Sequence, residues 1–121
     1  MKGQGCLTSD AWSDDPADDA LHFYTTLMPL ARGLLTGEVP PSVVNLKDPV
    51  DSIVVVFGYG GHEHRDWQLA AMQTLAREVA PKRINGIVGG DSEPETLDTI
   101  DEVAAWLAAA PGITGQLLAV R

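Results

Sequence analysis

A mainly parallel α/β sheet of three to four strands, with about three helices, is the fold this sequence predicts. Three observations predict it. Short apolar runs, RINGIV at 83–88 and LLAV at 117–120 with SVVNL at 42–46, read as strands buried on both faces. Segments with apolar residues at helical spacing alternate with these runs. Glycine or proline punctuates nearly every boundary between the two.

Residues 1–16 are polar and acidic and read as an irregular N-terminal arm, with Trp12 as its one large apolar anchor. Residues 17–121 form a single domain. From Ala17 to Gly37, Leu21, Tyr24, Leu27, Met28, Leu30, Ala31, Leu34 and Leu35 recur at helical spacing, and Asp15 or Asp18 can cap this helix. Pro29 should bend or interrupt it, and Gly37 with Pro40-Pro41 should end it. Ser42–Leu46 and Ser52–Gly58 are two candidate strands, and either can lead into the Gly61 loop. His64–Val79 reads as a helix stopped by Pro81, Arg83–Val88 as a strand closed by Gly89-Gly90, and Asp91–Glu95 as a turn. Thr96–Ala110 reads as a helix burying Leu97, Ile100, Val103, Ala104 and Leu107. Pro111-Gly112 leads into a last strand, Thr114–Val120.

With 121 residues the chain has room for one modest core. Its 17 acidic against 8 basic residues give a net charge of −9, which disfavours nucleic acid and anionic membranes as partners. The single cysteine, Cys6, excludes an internal disulfide. No basic segment leads into an apolar run at the N-terminus, and no run approaches the ~20 apolar residues of a membrane span. A cytoplasmic protein is expected.

The stretch LAREVAPKRINGIVGGD, followed by IDEVAAWLAAAPGITGQLLAVR, resembles the closing third of the short-chain dehydrogenase/reductase family. There LA-x-E-x-AP, R-(V/I)-N-x-(I/V)-x-PG and ITGQ-x-L-x-V recur in this order. The resemblance extends over roughly residues 18–121 and implies half of a doubly wound, Rossmann-like fold. Counting without gaps from Asn45, the family's catalytic tyrosine falls on Gly61 and its assisting serine on Asp48. Counting back from Ala80-Pro81, its lysine falls on Arg65, four residues after Gly61. Glycine carries no phenol to donate a proton, and arginine is a fixed cation. No glycine-rich dinucleotide loop occurs in residues 1–38. The resemblance thus implies no catalytic residue of the family's kind and no cofactor, with NAD or NADP bound only if a partner supplies the other half. Gly60, Gly61 and Gly90 are the remaining candidates near a cofactor.

Other motifs have plain readings beside sharp ones. Gly58–Gly61 follows an apolar strand and precedes a helix, a place where α/β proteins bind phosphate, yet its spacing fits neither nucleotide pattern and a tight turn explains it. His62 and His64, with His22 as a third, are metal candidates. Two histidines at a helix entrance are more often solvated, and no metal is expected. The carboxylates from Asp91 to Glu102 suit a helix N-terminus. Cys6 has no activating base beside it.

Right-handed crossovers between strands laid out in one direction put every helix on one face of the sheet. The other face would then stay apolar and open, at about 1.5–3 kcal/mol for each wet side chain. A homodimer or higher homo-oligomer, or a complex with a full-length reductase, is therefore expected. In the family, helices matching Ala17–Gly37 and His64–Val79 build the subunit interface. The function expected is that of a catalytically inactive relative acting by association. The alternatives are an NAD(P)-dependent enzyme completed by another chain, or a small-molecule binding module using the Gly58–Gly61 turn.

Overall fold

The structure, a computed structural model, describes residues 3–9, 15–58, 64–89 and 94–120. In chain order it comprises β1 (Gly3–Ser9), α1 (Pro16–Thr25), α2 (Leu27–Thr36), β2 (Val50–Phe57), α3 (Arg65–Val79), β3 (Arg83–Val88), α4 (Pro94–Ala108) and β4 (Leu117–Ala119). The four strands lie side by side in the order β1-β2-β3-β4, and each neighbouring pair is parallel. The α/β, half-Rossmann expectation holds.

Two expectations about the first half are corrected. The stretch read as an irregular arm contains an edge strand, paired with β2 from Gln4↔Ser52 to Ser9↔Phe57. Its sequence hides this because β1 buries only alternate positions, Gly5, Leu7 and Ser9, while β2 supplies most of the apolar side chains. The domain therefore includes residues 3–9 and does not begin at residue 17. Trp12 lies outside the described residues.

The second correction concerns SVVNL. Pro41–Val44 is a short 3-10 turn, closed by Asn45 in the left-handed region (φ 61) and by the Leu46 N–H donating to the Pro41 carbonyl at 3.0 Å. Two consecutive prolines and an asparagine that tolerates positive φ override the β preference of Val43 and Val44. The strand leading towards the Gly61 loop is β2.

The first helix behaves as its residues dictate. The Asp15 carboxylate accepts from the Ala17 N–H at 2.9 Å, and Pro16 occupies the first turn. Pro29 has no N–H for the carbonyl one turn back, so the helix breaks at Thr26. At the break the Thr25 and Thr26 hydroxyls add bonds to the Leu21 and His22 carbonyls at 2.8 and 2.6 Å. Gly37, with φ 85, ends α2.

The core has two parts. On one face of the sheet, α1, α2 and α3 cover Leu7, Ile53, Val55, Phe57, Ile84 and Val88. On the other face, Ile100 and Leu107 of α4 cover Val54 and Ile87. With strands in chain order, the connection through α4 therefore has the opposite hand to the two before it. This corrects the expectation that every helix lies on one face, and the second face is largely covered from within the chain.

Polar side chains hold the unusual connection. Arg83 donates to the carbonyls of Leu107 and Ala110 at 2.8 and 2.9 Å, closing the end of α4. The buried Asn85 amide donates to the Ile113 carbonyl at 3.1 Å and accepts from the Gln116 N–H at 3.0 Å. Thr114 completes the turn with a bond from the Ile84 N–H at 3.1 Å. The R-x-N of RINGIV is thus the device that seats the 109–116 segment beside β3. Leu97 and Trp106, by contrast, are exposed on α4.

Candidate functional site at the carboxyl end of the sheet

The chain leaves β2 for α3 on one face and leaves β3 for α4 on the other. Divergence of adjacent connections is the geometry at which open α/β sheets bind ligands, just outside the strands' carboxyl ends. The strands stay zipped to their last residues there: the Gly58 N–H donates to the Ser9 carbonyl at 3.3 Å, and the Gly89 N–H to the Phe57 carbonyl at 3.1 Å.

Packing fixes the first turn of α3 at this end. Phe57, the last residue of β2, meets Trp67 edge-on with ring centroids 5.7 Å apart. Phe23 of α1 packs against both rings, at 5.4 and 5.7 Å. His64 precedes the helix and is only 2% exposed. Its Nδ1 accepts from the Trp67 indole N–H at 3.2 Å, which leaves the ring proton on Nε2. That Nε2 lies 3.7 Å from the buried Asp19 carboxylate of α1. One turn into the helix, Gln68 is 1% exposed, and among the described residues neither its Oε1 nor its Nε2 has a hydrogen-bond partner, nor does the buried Nε of Arg65.

The residues singled out from sequence scatter. Asp48 is exposed in the turn before β2, at the amino end of the sheet and away from this site. The gapless count from Asn45 fails because the strand is β2, not SVVNL. Arg65 is the first residue of α3, as the count from Ala80-Pro81 requires. Tyr59, Gly60, Gly61, His62 and Gly90 lie outside the described residues. His22 is exposed on α1, and His64 is engaged with Trp67 and Asp19 rather than solvated. Among the described residues, no group of three or more His, Cys, Asp or Glu side chains could hold a metal ion. No described helix is long and apolar enough to cross a membrane.

The described lysines do not reach the site either. Lys82 Nζ donates to the Leu35 carbonyl at the end of α2, at 2.6 Å, and Lys47 is exposed before β2. At the α1 N-terminus the Asp15 carboxylate already takes the Ala17 N–H, with Asp18 and Asp19 behind it, so that helix end offers no place for a pyrophosphate.

Sequence reasoning missed the buried polar group of Asp19, His64 and Gln68. The signal was present. Asp19 precedes Phe23 by four residues, and Gln68 precedes Met72 by four and Leu75 by seven, so both occupy core-facing helical positions.

Cys6 lies exposed on β1. Desolvation pushes its thiol pKa up, and the Asp101 charge on α4 adds to the rise.

A sequence model of the short chain dehydrogenase-like proteins matches residues 7–120. No curated protein and no solved structure matches the chain. The match spans both core layers and all four helices, so the chain belongs to the short chain dehydrogenase-like family.

Proposed function

We propose that this protein is a catalytically silent member of its family that acts by association, with itself or with a full-length reductase. The observation that carries the reading is β1. Among the described residues it pairs only with β2, and Cys6 and Thr8 are exposed along it. A parallel edge strand with unpaired backbone groups is a template for a further strand. Loss of the family's chemistry supports the same reading, because Arg65 begins α3 where the family resemblance calls for a lysine.

Leu21, Tyr24 and Leu69 are also exposed, on the two helices that the resemblance assigns to a subunit interface. The open second face no longer motivates association, since α4 covers Val54 and Ile87. The edge and the helices do.

Light scattering on the 121-residue chain tests the reading. A mass of two chains or more is expected, and Thr8→Lys, which places a charge on the edge, should shift the population towards monomer. A monomer at all concentrations that also fails to bind a full-length reductase overturns it. Hydride transfer with NADH or NADPH by the chain alone overturns its catalytic half.

A further inference from the structure

We propose that the first turn of α3 binds a small oxyanion that retains a hydroxyl group, such as hydrogen phosphate or a 2-hydroxycarboxylate, through Arg65, Gln68 and the helix amides. The site stands apart from the β1 edge and does not depend on association.

Three observations converge. The 15-residue helix α3 follows β2, so its N-terminal turn and the positive end of its dipole lie at the carboxyl end of the sheet, and His64 gives it no side-chain cap. The Arg65 Nε is buried there with no acceptor. Independently, Gln68 is buried one turn along with its whole carboxamide unpaired. Side chains on a helix lean back towards its N-terminus, so Gln68, three residues on from Arg65, shares its face of the helix at that turn. A buried amide without partners among the described residues is costly, and an apolar side chain of its size would fill the same place without that cost.

The donor and acceptor count selects the ligand. Arg65 Nε, Gln68 Nε2 and the helix amides donate, which calls for an anion. Gln68 Oε1 accepts, which calls for a ligand hydroxyl. Asp19 lies beside His64 at the same helix end, and Asp66 sits in the first turn. These carboxylates work against any anion there, so discrimination rests on the ligand hydroxyl that Gln68 Oε1 can bind rather than on charge. Sulfate matches hydrogen phosphate in size and shape but carries no hydroxyl at neutral pH, so the pair separates this recognition from simple charge attraction.

Calorimetry and amide NMR on the 121-residue chain, titrated with inorganic phosphate, sulfate and lactate, test the proposal. Saturable one-to-one binding of phosphate or lactate is expected, with shifts centred on the amides of Arg65, Asp66 and Trp67. Phosphate against lactate tells the two sources apart. Sulfate should bind about tenfold more weakly than phosphate, and Gln68→Leu should remove that preference. Arg65→Gln should weaken all three anions, which keeps the proposal testable if Gln68→Leu does not fold. Equal, unsaturable responses to all three salts, or binding unchanged in both variants, overturns it.

Discussion

Arg65 and Cys6 show how much of this protein's chemistry is decided by single side chains and their surroundings. An arginine at the start of α3 keeps the positive charge of a lysine but cannot give up its proton near neutral pH, so it can hold an anion but cannot tune a neighbouring acid. Cys6 is the opposite case, a group whose reactivity its neighbours suppress. Although its side chain reaches solvent, partial desolvation raises its pKa first and Asp101 second, so the thiolate fraction at mildly alkaline pH is below that of an unperturbed thiol. Alkylation by iodoacetamide should therefore be slower than for a free cysteine peptide, and Asp101→Asn should speed it while leaving the fold unchanged. The sign for stability follows from the same shift. The folded thiol holds its proton more tightly than the unfolded one, so its contribution is complete at low pH and is lost as pH rises through the folded value. An alkylation rate at or above that of the peptide would remove the shift and the Asp101 contact with it.

Among the elements, those with one dominant signal were legible in the sequence. Arg83–Val88 is a strand over the residues expected, because its apolar run is central and buried on both faces. The helix break near Pro29 and the end at Gly37 follow from the two residues that leave the backbone least choice. SVVNL and β1 misled for opposite reasons. In the first, turn chemistry defeated β propensity; in the second, an edge strand borrowed its hydrophobic partners from β2. The candidate site was half legible, with Arg65 found by counting and Asp19 and Gln68 passed over as surface polar residues. The crossover through α4 was not legible at all. Handedness rules predict the common case, whereas here α4 packs on the opposite face and the bonds from Arg83 and Asn85 seat its return to β4. Asn85→Leu tests that account. It strands the part-buried Ile113 carbonyl and Gln116 N–H, at a cost of about 1–3 kcal/mol. Urea denaturation measures it, and a loss under about 1 kcal/mol would show that water replaces Asn85 without penalty.

At the scale of the whole molecule, the sheet divides two unequal cores. The first packs three helices against Leu7, Ile53, Val55, Phe57, Ile84 and Val88, with Met72 and Leu75 of α3 fully buried among them. The second has α4 as its one helix, through Ile100 and Leu107 with Val103 and Ala104 half-buried, joined by Val120 and Ile113. A helix held by few apolar contacts, with Leu97 and Trp106 in solvent, has little free energy keeping it docked. Its covalent tethers lie at opposite ends of the sheet; at the β4 end Asn85 and Thr114 hold the 113–116 segment independently of the apolar contact, and Arg83 ties only the last turn of α4 to β3. Undocking of α4 can therefore occur without dismantling the first core. Native-state hydrogen exchange should show α4 amides opening at lower free energy, and with weaker urea dependence, than amides of β2 and α3. Leu107→Ala should lower the α4 value by about 2–5 kcal/mol, or until it reaches zero, and leave sub-global opening of α3 untouched. If α4, β2 and α3 instead exchange through one opening with one urea dependence, the two cores are a single cooperative unit, and the sheet transmits packing between its faces more strongly than the contacts across it imply.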